Sequence, residues 1–183
     1  MMRQLITVGV LAITALCSGV AAAEWQPDPT NDREVAAAKA VERMRERIPR
    51  SHQFFEDAYG YAILPSVTRF GFGFGGAYGR GIVVGGDEVV GDTSFWQFTS
   101  GIQGGAKYFS MIIFFKDRQA LEYYQQGRLQ FLGQAGVAVA TVGANGTPAY
   151  NEGVAIITVT RFGLMYEFTI SGGKFRYFPR DEE

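Results

Sequence analysis

The chain has 183 residues, of which 47% are hydrophobic and 14% aromatic, and it carries 17 basic and 18 acidic side chains with one histidine and one cysteine. A formal net charge of −1 argues against a general nucleic-acid binder. A single histidine and a single cysteine leave no material for a zinc site built from those ligands or for a cysteine-histidine nucleophile.

Taken in chain order, Arg3 precedes an apolar run from Leu5 to Leu16, and Ala21 and Ala23 fill the small positions of a cleavage site. This pattern predicts a secretory signal peptide over residues 1–23. Cleavage there leaves 160 of the 183 residues, removes Arg3, and makes the net charge −2. Cys17 follows Leu16 at the end of the apolar run, which disfavours the lipoprotein alternative. The expected location is outside the inner membrane, in the periplasm or on the periplasmic face of the outer membrane. Residues 24–30, "EWQPDPT", hold two prolines and no periodicity, and predict a flexible leader before one domain over 31–183.

Asn31 with Glu34 three residues later reads as a helix start, and Val35, Ala38, Val41, Met44 and Ile48 recur at helical spacing up to Pro49. From Arg33 to Arg50 six basic residues face Glu34, Glu42 and Glu46, a local charge of +3. A second short helix is expected from Ser51 to Gly60, with His52 partly exposed at its start. Strands follow near 61–66, 69–84, 89–104 and 107–115. A helix capped by Asp117 and stopped at Gly127 comes next, then strands near 134–142, 153–160, 163–170 and 174–178. Glu167 on the second-last of these is expected to point outward or to the rim. Turn signals at 85–88, 143–148 and 171–174 imply hairpins. The fold class is therefore α+β and β-rich, a curved, mainly antiparallel sheet that is barrel-like or strongly curled, with two N-terminal helices and one mid-chain helix.

Residues 69–84, "RFGFGFGGAYGRGIVV", contain the G-x-G-x-x-G pattern of dinucleotide sites. By parity, however, Gly71, Gly73, Gly75, Gly79 and Gly81 alternate with Phe70, Phe72, Phe74 and Tyr78, and no helix follows. That is a strand with one bare face and one aromatic face, not a phosphate turn opening a helix. Glycines Gly71, Gly73, Gly75 and Gly79 form a candidate close-packing face, and the pair Gly75–Gly76 is the expected site of a bulge.

The blocks "AYGYAILPSVTRFGFGFGGAYGRGIVV", "GIQGGAKYFSMIIFF" and "RFGLMYEFTISGGKFRYFP" resemble the SYLF lipid-binding domain family, in that family's order and over most of the chain. The resemblance implies a non-enzymatic protein. Eukaryotic members work at phosphoinositide membranes and, beside Src-homology modules, in actin assembly. With an export signal expected and no added module read in this sequence, the implied partner is a phospholipid or other lipid of the bacterial envelope, contacted peripherally, with no cofactor, no metal and no nucleic acid. Candidate lipid-contacting cations are Arg43, Arg45 and Arg47 on the basic helix, then Arg69, Arg80, Lys107 and Arg161 on strands. Two other readings stand beside this one: an envelope protein that binds a protein partner through exposed strand aromatics, and an integral outer-membrane barrel.

Overall fold

The computed structural model describes residues 25–132, 139–141, 150 and 152–180. The predicted signal peptide, the turn at 143–148 and most of the strand expected at 134–142 lie outside them. In chain order the elements are α1 (Asp32–Arg47), α2 (Ser51–Asp57), β1 (Gly60–Gly85), β2 (Glu88–Phe115), α3 (Arg118–Gln125), β3 (Gln130–Leu132), β4 (Val139–Thr141) and β5 (Val154–Pro179). The fold is α+β. The sheet order is β1-β2-β5-β3, antiparallel throughout this path, with β4 joined parallel to β5.

Three strands of 26 to 28 residues replace the seven shorter ones expected over the same segments. The chain makes a two-residue turn at Gly86 and Asp87, as the turn signal predicts, but runs extended through 171–174. There Gly173 serves a neighbour instead of a turn. Gly173 lies opposite Gln97, and a Cβ on it would sit 3.0 Å from the Phe95 ring. Gly173 thus makes room for an aromatic core residue.

The length of β1 hides a reversal. Its first residues lie against its last: a Cβ on Gly60 would come 2.5 Å from the Val84 carbonyl oxygen, and one on Gly79 would come 2.8 Å from Val67 Cγ2 and 3.1 Å from the Ser66 carbonyl oxygen. A Cβ on Gly81 would overlap the Ile63 carbonyl oxygen outright. Beyond the strand ends, the Gly86 N–H donates to the Tyr59 carbonyl at 3.0 Å. The midpoint of these pairings falls near Gly73, whose φ of +72° opens a register irregularity between Phe72 and Phe74. Across that fold line β2 carries Gly101 and Gly105, also at positive φ. The sheet is strongly bent here, although among the described residues it is not closed into a barrel.

Two expectations about the glycines need correction. The irregularity falls at Gly73 and not at Gly75–Gly76, where the pairing to Thr99 and Phe98 is regular. Gly73 also has nothing within 4 Å of where a Cβ would lie, so close packing is not its role. It supplies a left-handed backbone that residues with a Cβ rarely adopt. Of the predicted set only Gly79 makes a close approach, and beyond it Gly60, Gly76 and Gly81 do; Gly71 and Gly75 are half-buried strand positions opposite Gly105 and Thr99.

The bend divides the core in two. On the concave face Ala62, Leu64, Val67, Val83, Met111, Ile113, Phe115 and Ile156 pack with Ala120, Leu121 and Tyr124 of α3. On the convex face Ile63, Ile82, Val84, Ile112, Phe114 and Ile157 pack under Ala37, Ala40, Val41 and Met44 of α1 and Phe54 of α2. Burial on both faces explains the unbroken runs "YAIL", "IVV" and "MIIFF", since a strand covered on both sides has no polar face to alternate with. The caps form as expected. Asn31 accepts from the Arg33 and Glu34 N–H groups, and Asp117 accepts from the Ala120 N–H at 2.8 Å. The segment before α1 is not a free leader: Trp25 is 7% exposed and belongs to the convex core.

Gly81→Ala is expected to lower the melting temperature by about 3–10 °C, the scale of an overpacking cost of about 1–3 kcal/mol in a domain of this size. Gly73→Asn is expected to shift it far less, because asparagine tolerates the left-handed region and the space is open. Thermal denaturation of the two variants followed by circular dichroism checks the ranking.

Candidate functional site

Where the strands run beyond α1 and α2, the convex face loses its cover. Phe72 is 92% exposed, Phe74 and Phe98 79%, Phe70 59% and Trp96 51%. Pleating puts Phe74, Tyr78 and Ile82 on one face, and Ile82 is part of the convex core, so the aromatics continue the surface on which the helices pack. Gly76 lies opposite Phe98 and Tyr78 opposite Trp96, with the Tyr78 and Trp96 rings 4.6 Å apart. Phe70, Phe74, Tyr78, Trp96 and Phe98 line a groove of about 560 Å³ whose floor includes Gly75 and Gly76. Sequence parity identifies the aromatic face, but its exposure depends on where α1 ends relative to a sheet bend that no local signal marks.

A second groove of about 410 Å³ adjoins the first through Tyr78 and Trp96 and adds Arg33, Arg80, Asp92 and Arg176. Arg80 Nε donates to the Tyr78 hydroxyl, so this predicted cation borders the aromatic surface. Behind it, Asp92 Oδ1 receives Arg33 Nη1 at 2.8 Å and Arg180 Nη2 at 3.2 Å, while Arg180 Nη1 reaches buried Glu34 Oε1 at 2.6 Å. This cluster ties the start of α1 to β2 and to the end of β5.

The other predicted cations fall into separate places. Arg45 stacks over the Phe55 ring at 4.6 Å, which removes it from a solvated helix face. Arg69 and Lys107 are cross-strand partners, and Lys107 Nζ lies 5.3 Å from the Phe109 ring centre. Arg43, Arg47 and Arg161 gather at one point. Arg43 Nη1 donates to Ser110 Oγ at 3.4 Å, Arg47 Nη1 to the Thr160 carbonyl at 3.2 Å, and Arg161 Nη1 to the Pro65 carbonyl at 3.3 Å. Burial, then the charges of Arg161 and Arg47, hold the Arg43 guanidinium below its ordinary pKa. His52 is exposed on α2, as its position predicts. Glu167 lies outside the side chains described. Among the described residues no group of acidic, histidine or cysteine side chains is arranged to hold a metal ion, and no helix is long and apolar enough to cross a membrane.

Set against known proteins, the chain matches no family model and no solved structure. It is similar to beta cell expansion factor A of Aeromonas veronii, with 27% identity over 142 residues. The aligned region takes in 76% of this chain and 53% of that protein, so the chain spans about half the length of its relative.

The Asp92 cluster carries a pH dependence. Burial would raise the carboxyl pKa, but the Arg33 and Arg180 hydrogen bonds outweigh it and hold Asp92 below its ordinary value of 3.8. Its stabilising contribution is therefore present above the unfolded value and is lost as pH falls through the folded one. Asp92→Asn is expected to cost about 1–2 kcal/mol at neutral pH, with the gap to the parent narrowing below about pH 4. Urea denaturation of both proteins at neutral and acid pH measures that gap.

Proposed function

We propose that this chain is a non-enzymatic, SYLF-type lipid-binding protein of the bacterial envelope that docks on a phospholipid surface with the aromatic end of its bent sheet. The observation that carries this reading is the cluster of Phe70, Phe72, Phe74, Trp96 and Phe98, exposed on the convex face where the helices stop. Five large aromatic side chains in one patch exceed the scattered apolar residues of an ordinary protein surface. Aromatic rings are suited to the boundary between lipid headgroups and acyl chains, because their area is apolar while tryptophan and tyrosine retain a polar edge. Arg80 beside Tyr78 adds a cation at the rim of the same patch. The expected export signal and the three SYLF-like blocks agree with an envelope lipid as the partner.

Capture of a protein partner by the same patch is the competing reading, and the same variants separate the two. The double variant Phe72→Ser and Phe98→Ser should bind phosphatidylcholine vesicles at least about a hundredfold more weakly, on the scale of about 1.5–3 kcal/mol for each phenyl ring removed from water. Its melting temperature should stay close to that of the parent, since both rings are solvent-exposed. Vesicle sedimentation with a parallel thermal melt provides both readings. A parent protein that is folded yet binds no phospholipid vesicle would overturn the lipid reading in favour of a protein partner.

A further inference from the structure

The convergence of three arginines on the convex face has a construction of its own. In β1, Pro65 and Ser66 together oppose Ser110 of β2, a bulge between Leu64 and Val67. In β5, Arg161 is the extra residue where pairing steps from Phe109–Thr160 to Tyr108–Phe162. Two bulges thus flank one stretch of β2. Bulges of this kind re-aim side chains and backbone groups, and they gather beside functional sites. Here the Pro65 carbonyl accepts from both Ser110 Oγ, at 2.9 Å, and Arg161 Nη1, at 3.3 Å. Ser110 Oγ in turn receives Arg43 Nη1. Arg43 and Arg47, one helical turn apart on α1, reach down to β2 and β5 at the same level.

The cluster differs from the arginines that have carboxylate partners, and no other three arginines are brought to one point among the described contacts. Arg33 and Arg180 have Asp92 and Glu34, and Arg118 has Glu122. Among the described residues no carboxylate forms an ion pair with Arg43, Arg47 or Arg161, although the chain as a whole is acidic by one charge. The negative end of the α1 dipole accounts for Arg47 in its last turn. It does not account for Arg161, which arrives from a strand. Each guanidinium carries five N–H donors, and the contacts to Ser110, Thr160 and Pro65 occupy one nitrogen of each. Glu46 and Glu42 on the same helix offset part of this charge without pairing with it, each acting on Arg43 less than Arg161 and Arg47 do. The three gathered guanidiniums therefore still repel one another, at a cost that a bound oxyanion offsets with charge-assisted hydrogen bonds.

We infer that Arg43, Arg47 and Arg161, set by the paired bulges around Ser110, form a binding site for a phosphate-type oxyanion. The site stands on its own geometry, and only the source of the phosphate rests on the lipid-docking reading. Along β2 the level of Arg161 lies two to three residues, roughly 8 Å, from the level of exposed Phe70, so a headgroup phosphate above a docked aromatic end is one source. A soluble phosphate compound is the other.

Calorimetric titration of the purified protein with inorganic phosphate and pyrophosphate, at fixed ionic strength and without lipid, tests the site apart from docking. The parent should bind at least one of them saturably, Arg161→Gln should bind about tenfold more weakly, and Arg118→Gln, at the distant Arg118–Glu122 pair, should bind like the parent. Arg161 is exposed, so its variant is expected to keep the parent's fold and melting temperature. Sedimentation with phosphatidylcholine vesicles, with and without phosphatidic acid, then separates the sources. A lipid source predicts that Arg161→Gln loses binding only to the phosphatidic acid vesicles, and a soluble source predicts loss of phosphate binding with vesicle binding unchanged. The inference is overturned if the parent binds neither anion and Arg161→Gln matches the parent on both kinds of vesicle. It is equally overturned if Arg161→Gln binds every ligand as tightly as the parent.

Discussion

The architecture depends on a backbone lying directly on a backbone. In β1 the segment around Ile63 to Val67 crosses the segment from Gly79 to Gly81 with no room for a side chain between them, and the Ile63 carbonyl occupies the place where a Cβ at Gly81 would be. Such contact needs glycine on the concave face and, at the fold line, a residue able to adopt φ of +72°. With both in place, a 26-residue strand folds over itself and carries its hydrogen-bonded neighbours with it. Without them the strand would straighten, and the concave core of Leu64, Val83, Ile113 and Tyr124 would have nothing to close against.

The same bend determines which surfaces are left for function. Its concave side is filled by side chains and by α3, whose Tyr124 is fully buried with its hydroxyl bonded to Thr93. The convex side is covered by α1 and α2 only over part of its length, so the remaining part must present its even-numbered residues to the surroundings. In β1 those residues are phenylalanines. A strand needs apolar alternation only where it has a core to pack on. Aromatic residues kept on an uncovered face therefore require another explanation, and contact with a lipid surface supplies one. The arginines that enter the same face from α1 and β5 place positive charge a short distance from that surface.

Much of this is legible in the residue order and some is not. The Asn31 and Asp117 caps and the two-residue turn at Gly86 follow from local chemistry alone and appear where that chemistry puts them. The glycine-aromatic parity reveals a strand with unequal faces. The length of the strands is not legible, because "SGGK" and the break near Pro65 resemble turns, and only the Phe95 ring and the opposing strand show why the chain continues through them. The phase of α1 differs from its simplest apolar stripe: Ala37 and Ala40 are buried while Val35 and Ala38 are half-exposed, since small residues allow the helix to sit close to the sheet. The grouping of Arg43 and Arg47 with Arg161 also escapes sequence reading, because residues more than a hundred positions apart meet only through the β2–β5 register. On the same helix Arg45, two positions from Arg43 and two from Arg47, cannot share their face and stacks on Phe55 instead.

The central claim, that the uncovered aromatic end enters a lipid surface, is tested most directly by the two tryptophans. Trp25 is buried under α1 and Trp96 is exposed in the patch, so a Trp25→Phe protein reports from Trp96 alone. Vesicles carrying bromine on the acyl chains quench a tryptophan that reaches them. Entry of the aromatic end into the lipid predicts a blue shift of Trp96 emission on vesicle binding and quenching by the brominated lipid. Emission that stays at its aqueous wavelength and unquenched, with the protein bound to the vesicles, would contradict it.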